Sequence, residues 1–196
     1  MTRVIANLSM SVDGFIADPD DRCDELFGWY ESGEVPLRSY GGHAFRLHPA
    51  SADLLRAALE SVGAFLVGRR LYDHTNGWNG RPPAEAPMVV LTHEAPEDWP
   101  RDGVPITFAA DVESAVAAAK ALAGPDRVVS VAGAAAGRAC LATGLLDEIV
   151  VNLIPVVLGE GIPWFAGTDG APHRLEDPEV IAAPGVTHLR YRVRRD

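Results

Sequence analysis

Apolar runs of strand length alternate along this chain with longer segments whose apolar residues recur at helical spacing. Short apolar runs between turn residues are typical of β-strands, and recurrence every three or four residues is typical of α-helices. We therefore predict strands at residues 3–9, 64–67, 88–92, 105–108, 128–131, 148–158 and 188–194. Helices are predicted at residues 24–30, 52–61, 112–122 and 135–143, the first of them surrounded by loops over residues 10–48. This alternation predicts an α/β fold.

Turn and capping residues set the ends of several predicted elements. Asp111 is a good N-cap for the helix that follows it, and Gly124-Pro125 ends that helix. Pro155 is expected to kink the strand around it or to place that strand near a sheet edge. Apolar residues alternate with arginines in 188–194, so one face of this strand should be buried and the other exposed. Since no repeat or linker divides the chain, we predict a single domain over residues 1–196.

The composition limits the partners and the compartment. Apolar residues make up 47% of the chain and charged residues 22%, as in ordinary globular domains. The formal net charge of -10 disfavours non-specific binding to nucleic acid or to an anionic membrane. The apolar stretches are about ten residues long, whereas a membrane span needs roughly 20, so we expect a soluble protein. Cys23 and Cys140 lie far apart without CxxC spacing, which is typical of a reducing cytoplasm.

Several common catalytic motifs are absent from the sequence. It contains no GxSxG elbow of a serine hydrolase, no GxxxxGK[ST] phosphate loop and no zinc-protease or deaminase motif. The histidines share no metal-ligand spacing, so we expect no metal site.

Three short motifs follow predicted strands, where open α/β sheets usually bind their ligands. The first is an Asp13-Gly14 turn followed by Phe15 and Ile16, an apolar pair that could lie against a flat ring. An ordinary turn is the alternative interpretation of this segment.

The second motif is Gly68-Arg69-Arg70, directly after a predicted buried strand. Guanidinium donors beside the free backbone N–H groups of a helix start are suited to a phosphate. The alternative is a pair of solvated arginines.

The third motif is Ala132-Gly133-Ala134, at another strand-to-helix junction. Small residues let a backbone approach a pyrophosphate closely, and the helix N-terminus favours negative charge. The motif is not GxGxxG, and, taken alone, it is better explained by tight packing of helix against strand.

Taken together and in order, the motifs resemble the dihydrofolate reductase-like family, in particular the reductase domain of the bifunctional riboflavin-biosynthesis deaminase-reductase. Four segments carry the resemblance: SMSVDGFIA at 9–17, LVGRRLYD at 66–73, MVVLTHEAP at 88–96 and the long block at 129–161. The resemblance implies a three-layer fold, with a mixed and mostly parallel sheet flanked by helices and with antiparallel C-terminal strands. It also implies NADPH as cofactor, a small-molecule substrate and a homodimer formed through the C-terminal strands.

The resemblance assigns each motif to one part of the cofactor. Gly14, Phe15 and Ile16 match the loop over the nicotinamide. The arginine pair matches the site of the adenosine 2′-phosphate, and the small-residue turn matches the pyrophosphate site. The implied cofactor-binding residues are Gly14, Phe15, Ile16, Gly68, Arg69, Arg70, Thr92, His93, Ala132, Gly133 and Ala134.

Two residues depart from the family pattern. Leu71 replaces a usual Thr and removes a hydroxyl from the pyrophosphate region. Ala132 replaces the first Gly of a usual Gly-Gly pair and could hinder the close backbone approach.

The resemblance implies an NADPH-dependent reductase that transfers a hydride to a small heterocyclic or carbonyl substrate. Asp53 lies about where folate-reducing relatives carry a substrate-binding carboxylate, although acidic residues are also favoured in any first helical turn. The substrate could resemble 5-amino-6-(5-phosphoribosylamino)uracil, a pterin or a folate. A catalytically silent domain that binds a nucleotide, or that serves regulation or interaction with other proteins, is the alternative.

Overall fold

Strands and helices alternate in the computed structural model, which describes residues 2–97 and 103–195. The strands are β1 Val4–Ser11, β2 Phe15–Ala17, β3 Val35–Arg38, β4 Ala44–Leu47, β5 Val62–Gly68, β6 Met88–Leu91, β7 Ile106–Ala109, β8 Val128–Ala132, β9 Glu148–Ile154, β10 Ile162–Pro163, β11 Glu179–Ala183 and β12 Val186–Arg192. The helices are α1 Asp24–Phe27, α2 Pro49–Ser61, α3 Arg69–His74, α4 Val112–Ala123 and α5 Ala134–Ala142. Across the described ranges, no helix combines the length and the apolar content that a membrane crossing requires.

The main sheet has the strand order β11-β12-β9-β1-β8-β5-β6-β7 within the described residues. The strands from β9 to β7 run parallel to one another, while β12 and β11 are antiparallel. Parallel strands that alternate with helices give the predicted α/β class. The predicted mixed, mostly parallel sheet with antiparallel C-terminal strands is therefore confirmed.

Helices cover both faces of this sheet. Because successive side chains of a strand point to opposite faces, Leu66 of β5 packs toward α4 and α5, whereas Phe65 and Val67 pack toward Tyr72 of α3. Helices α1 and α2, with the β3–β4 hairpin, cover the ends of β9 and β12 on the same face as α3. Since β1, β5, β6 and β8 are parallel, their carboxyl ends meet at one edge of the sheet.

The structure corrects several sequence predictions. The segment 10–48, predicted as loops around one helix, also contains β2 and the β3–β4 hairpin, whose strands are too short for a clear pattern. The strand predicted at 148–158 ends at Ile154, because Pro155 has no N–H and Val156 N donates to the carbonyl of Ile154 at 2.7 Å. This strand is also internal, between β1 and β12, so the expectation of a sheet edge is wrong.

Both faces of the last strand, β12, are at least partly buried, whereas the alternation predicts one buried and one exposed face. Leu189 and Tyr191 are only half-buried, whereas Val186 and His188 on the opposite face are buried under the α1 and α2 region. Within the predicted range, the face expected to be exposed is therefore exposed at Arg192 and Arg194, whereas His188 on the same face is buried.

His188 should make the stability of the protein depend on pH. It is 2% exposed, and burial lowers its pKa below the ordinary value of 6.5 because the charged ring would lose its hydration. As the pH falls below 6.5, the unfolded chain takes up a proton that the folded chain still refuses. The free energy of unfolding should therefore be fully retained above pH 6.5 and should decrease as the pH falls toward the lowered pKa.

Urea unfolding between pH 7.5 and 5.5 measures this effect. His188→Asn should lower stability at pH 7.5 but remove most of the loss toward pH 5.5. His43→Asn, at an exposed histidine, is the matched control and should leave the pH profile unchanged. An equally steep loss in wild type and His188→Asn would contradict the assignment.

Candidate cofactor site

A groove of about 460 Å³ lies at the carboxyl edge of the sheet, between the starts of α3, α4 and α5. It is lined by five residues predicted to bind cofactor: Gly68, Arg69, Arg70, Thr92 and His93. It is also lined by Asp111, Ala135 and Ala139, which the sequence did not assign to a site. Sequence positions from 68 to 139 thus meet in one groove because four parallel strands, β5 to β8, end beside it.

Gly68 ends β5 and lets α5 approach it. A Cβ at this position would lie 3.7 Å from the Ala135 Cβ and 3.8 Å from the Ala136 backbone nitrogen. A methyl group here would therefore make ordinary van der Waals contacts with α5. The small residues on both sides therefore keep the wall of the groove close to the backbone.

Arg69 is partly engaged by its own chain. Its Nε donates to both carboxylate oxygens of Asp73 at 2.8 Å, and its Nη1 donates to the carbonyl of Glu94 at 2.9 Å. Its Nη2 makes no hydrogen bond within the described residues, and 38% of the side chain is exposed. One nitrogen of a fixed guanidinium is therefore left for an anion in the groove.

Arg70 bridges the groove mouth to the segment that follows β2. Its Nε and Nη2 donate to one oxygen of Asp21, at 2.9 and 2.6 Å, and its Nη1 makes no hydrogen bond to any residue in the described ranges. Asp21 adopts a positive φ of 65°, a conformation uncommon for a residue with a side chain. Because Asp21 already accepts two hydrogen bonds from Arg70, an anion bound at Arg70 must share the guanidinium with this carboxylate.

Thr92, His93 and Asp111 form the far side of the groove. The Thr92 hydroxyl donates to the carbonyl of Glu94 at 3.0 Å, and the His93 side chain is exposed. Asp111 caps α4 by accepting a hydrogen bond from Ser114 N at 2.8 Å, and bonds to Ser114 lower the pKa of this carboxyl. The sequence identified Asp111 as a cap only, because its approach to β6 depends on the strand order.

The Gly14–Ile16 loop is held from two sides. Ser11 Oγ accepts from Phe15 N at 3.0 Å and donates to Asp13 at 2.6 Å. Asp13 also accepts from the backbone of Leu158 and Gly159, and the Ser11 hydrogen bond is the main cause that lowers its pKa.

The chain around β10 also binds the Gly14–Ile16 loop. Trp164 N donates to the carbonyl of Gly14 at 3.0 Å, and β10 pairs with β2. The sequence missed these partners because they lie about 145 residues from the loop along the chain.

The small-residue turn lies between β8 and α5. Gly133 has a φ of 89°, which favours glycine, and a Cβ there would lie 3.4 Å from Leu71 Cδ2. Leu71 therefore packs beside this turn, at the place where the family pattern has a hydroxyl. Ala132 is half-buried and Ala134 is buried in the first turn of α5.

Ala132→Gly should tighten cofactor binding, because it gives room for close backbone approach at this turn. The added chain entropy should cost at most about 1 kcal/mol of unfolding free energy. Titration of tryptophan fluorescence with NADPH, beside urea unfolding, measures both effects. A variant that binds NADPH no better than wild type would mean that Leu71 has remodelled the turn.

Asp53 is not brought together with the other candidate residues. Its side chain is 81% exposed on α2 and pairs with Arg56 at 2.9 Å, one turn along the same helix. The residues of this helical turn that face inward are Ser51 and Ala52. Because α2 begins at Pro49 and not at residue 52 as predicted, Asp53 lies beyond the first turn, so the dipole explanation of an acidic first-turn residue does not apply to it either.

Comparison of this chain with known proteins identifies a family. The family model described as the RibD C-terminal domain matches residues 2–184. No curated protein sequence matches the chain.

Solved structures give the same fold. A putative riboflavin biosynthesis protein from Shewanella sp. PV-4 is 23% identical, with a TM-score of 0.71 and 100% of both chains covered. The diaminohydroxyphosphoribosylaminopyrimidine deaminase/5-amino-6-(5-phosphoribosylamino)uracil reductase of Thermotoga maritima is 15% identical, with a TM-score of 0.64. The match covers 98% of this chain but only 56% of that chain. Dihydrofolate reductase from Enterococcus faecalis, complexed with NADP(H), is 15% identical, with a TM-score of 0.57 over 98% of this chain and 97% of that one.

The resemblance that the motifs predicted is therefore confirmed by two independent kinds of comparison. Because the family match spans nearly the whole chain and the strand order brings the motifs to one edge, this chain belongs to the RibD C-terminal domain family and has the fold of dihydrofolate reductase.

Proposed function

We propose that this protein is an NADPH-dependent reductase that transfers a hydride to a small heterocyclic or carbonyl substrate. The observation that carries the proposal is the groove where Arg69, Arg70, Thr92 and His93 meet beside three helix N-termini. Membership of the RibD C-terminal domain family supports a reductase role.

The residues of the groove fit a phosphorylated dinucleotide. Within the described residues, Nη2 of Arg69 and Nη1 of Arg70 make no hydrogen bond and can meet an anion, while small residues leave the backbone accessible near Gly133. Arg69 and Arg70 would hold the 2′-phosphate, and the Gly14–Ile16 loop would cover the nicotinamide. The cofactor, when bound, supplies the hydride, whereas the protein orients the two rings and excludes water.

The test is NADPH oxidation, followed by absorbance at 340 nm, with two substrates offered separately. They are 5-amino-6-(5-phosphoribosylamino)uracil and dihydrofolate, on which the named neighbours act. We expect turnover with one of them and a faster rate with NADPH than with NADH. Absence of oxidation with both compounds would contradict the reductase proposal for these substrates.

A catalytically silent nucleotide-binding domain is the second candidate. Asp21 and Asp73 already neutralise the two arginines, and Leu71 packs beside the turn at Gly133. These contacts favour weaker cofactor binding than the motifs alone suggest. Tryptophan quenching by NADPH without oxidation of any offered substrate would favour this candidate.

Cytoplasmic location accompanies the proposal. Cys23 and Cys140 are free thiols, and burial raises the pKa of the Cys140 thiol to about 12, so this cysteine is unreactive. A reducing compartment is compatible with both.

We also propose a homodimer formed through the face of β9, β12 and β11 that α5 does not cover. Val151 is buried, its neighbour Leu189 is half-buried and the next residue across the sheet, Val180, is 56% exposed. Leu153, also half-buried, extends this apolar row. An apolar surface beside an edge strand favours pairing with a second copy.

Leu153→Glu and Val180→Glu should each shift the mass measured by light scattering toward that of a single chain, because a two-fold interface contains every substitution twice. Val151→Glu is expected to unfold the protein instead, since Val151 is 4% exposed. A wild-type mass equal to one chain at micromolar concentration would contradict the dimer.

A further inference from the structure

The β3–β4 hairpin connects two separate parts of the sheet face that carries α2 and α3. At its base, Leu37 and Phe45 pack with α1 and α2 over the ends of β9 and β12. At its tip, Tyr40 N donates to the carbonyl of Pro83 at 2.9 Å. The next residue, Ala84, packs over β5 and β6 on the same face. Because β1 and β8 lie between β9 and β5 in the sheet, the hairpin passes over these two central strands.

The two central strands are only partly covered beneath the hairpin. On the face under α4 and α5, Val4 of β1 and Val131 of β8 are 0% exposed. On the hairpin's face the same strands carry four half-buried side chains, which are Ile5, Asn7, Ser130 and Ala132. We call the space between these four side chains and the hairpin the trough. It adjoins the cofactor groove, since Ala132 belongs to the turn that the resemblance assigns to the pyrophosphate.

The hairpin tip packs on residues 81–83, a segment called the platform here, which follows a left-handed turn. Asn76, Trp78 and Asn79 have φ values of 50°, 51° and 50°, a conformation that is costly for residues with a Cβ. Asn76 Nδ2 donates to Asn79 Oδ1 at 2.7 Å, and the Trp78 ring stacks on Phe65 at 6.4 Å. Because a strained backbone persists only where its surroundings fix it, the platform is the rigid side of this contact.

The contact between tip and platform is small. Besides the hydrogen bond of Tyr40 N, Arg81 Cζ lies 5.5 Å from the centre of the Tyr40 ring. Both side chains are exposed, and a cation–π contact at an exposed position favours the closed arrangement by only about two- to fivefold. Gly41 completes the fit, because a Cβ built there would lie 2.6 Å from the carbonyl oxygen of Arg81.

The tip and the base of the hairpin each have contacts that do not involve the platform. Ser39 N donates to the carbonyl of His43 at 2.9 Å, and His43 N donates to Ser39 Oγ at 3.1 Å. At the base, Leu47 is 0% exposed and the ring of Phe45 lies 4.7 Å from that of Tyr30. Separation of the tip from the platform therefore leaves both ends of the hairpin intact.

We propose that the β3–β4 hairpin is a lid over the trough. Its base is the hinge, and its tip closes the trough by docking on the platform and opens to admit and release the molecule that the reductase acts on. The inference rests on the proposed function, since it takes the trough as the way into the site beside the cofactor groove. The lid is separate from the Gly14–Ile16 loop, which β10 holds in place.

A thiol on the trough floor measures the opening without turnover. Ser130→Cys is made in a Cys23→Ser background, where the remaining natural thiol, Cys140, is 0% exposed. Ala117→Cys, at an exposed position of α4, gives the rate of an unhindered thiol. If the open state is a minor one, populated to roughly 0.1–10%, bulky fluorescein maleimide should label position 130 at least about tenfold more slowly than position 117. The small reagent methyl methanethiosulfonate should show a smaller difference.

Two variants should open the lid. Gly41→Ala should raise the rate of bulky labelling at position 130 about tenfold, because its Cβ would clash with a backbone oxygen that cannot rotate away. Arg81→Ala should raise it about two- to fivefold. Gly28→Ala is the control for the first, since Gly28 has a φ of -56° and nothing lies within 4 Å of a Cβ there. Arg46→Ala, at an exposed arginine of β4, is the control for the second.

Hydrogen exchange distinguishes lid opening from a general loss of stability. Gly41→Ala should speed exchange of the Tyr40 amide, which donates to the platform, while the amides of β9 keep their rates. A variant that is merely less stable would speed both sets of amides. Urea unfolding of each variant establishes that it is folded.

The outcomes separate the lid from the reductase. Unchanged labelling at position 130 in folded Gly41→Ala and Arg81→Ala would overturn the lid, and so would equal bulky labelling of positions 130 and 117 with the unaltered hairpin. Oxidation of NADPH together with either of these results would support the reductase alone. Faster labelling in both variants, without oxidation of NADPH by any offered substrate, would support the lid and contradict the reductase.

Discussion

Arg69→Ala should weaken NADPH binding tenfold or more and leave NADH binding almost unchanged. The only difference between the two cofactors is the 2′-phosphate, and a charge-assisted hydrogen bond to such a group contributes roughly 1.5–3 kcal/mol. Asp73 and the Glu94 carbonyl fix Nε and Nη1 of Arg69, and no residue in 2–97 or 103–195 accepts from its Nη2. A guanidinium held in this way loses little side-chain entropy when an anion binds.

Calorimetric titration of both cofactors measures the effect, and Arg56→Ala is the matched control. Arg56 is also a partly exposed arginine paired with an aspartate, but it lies on α2 and does not line the groove. Its removal should leave both affinities unchanged. Equal losses of NADPH and NADH affinity in Arg69→Ala would mean that Arg69 does not bind the 2′-phosphate.

Gly161→Ala should lower both stability and activity by disturbing the loop at Gly14–Ile16. Gly161 directly precedes β10, which pairs with β2 and so holds this loop. Gly161 has a φ of 153°, and a Cβ there would lie 2.1 Å from the carbonyl oxygen of Ala17. Because the clashing atom of Ala17 is a backbone oxygen and cannot rotate away, the backbone beside β10 or β2 must move. We expect a loss of about 1–3 kcal/mol in unfolding free energy. We also expect kcat/KM to fall at least tenfold, since a displacement of about 1 Å near the reacting groups can cost a hundredfold.

Gly144→Ala separates this contact from the general cost of a positive φ. Gly144, which follows α5, has a φ of 70°, and nothing lies within 4 Å of a Cβ built there. The control should therefore lose stability but keep most of its kcat/KM. If both variants lost kcat/KM equally, the β2–β10 contact would not be what positions the loop.

Prediction from sequence worked well for the elements around the cofactor groove. Strands β5, β6 and β8 have strong apolar runs, and each ends at a motif that local chemistry identifies, such as Gly68-Arg69-Arg70. Asp111 was also recognised as a helix cap, and it accepts from Ser114 N. These features depend on neighbours within a few residues along the chain, which is why the pattern reveals them.

The weakly patterned elements were missed for the opposite reason. Strands such as β3 and β11 have four and five residues, and both are stabilised by pairing with another strand more than by their own apolar pattern. The position of β9 in the interior depends on β12 folding back beyond it. Strand order is a property of the whole chain, so no local signal in 148–158 predicts it.

The sequence by itself determined the α/β class, the family resemblance and the motifs that meet at the carboxyl edge. Only the tertiary structure decided that Asp21 reaches Arg70, that Asp53 faces solvent, and that Asn7 is oriented through Asn152. Asn7 and Asn152 lie 145 residues apart, and they touch because β1 and β9 pair in one particular register. Hydrogen-bond direction and burial arise from such long-range pairing, whereas local propensity and spacing act within a few residues.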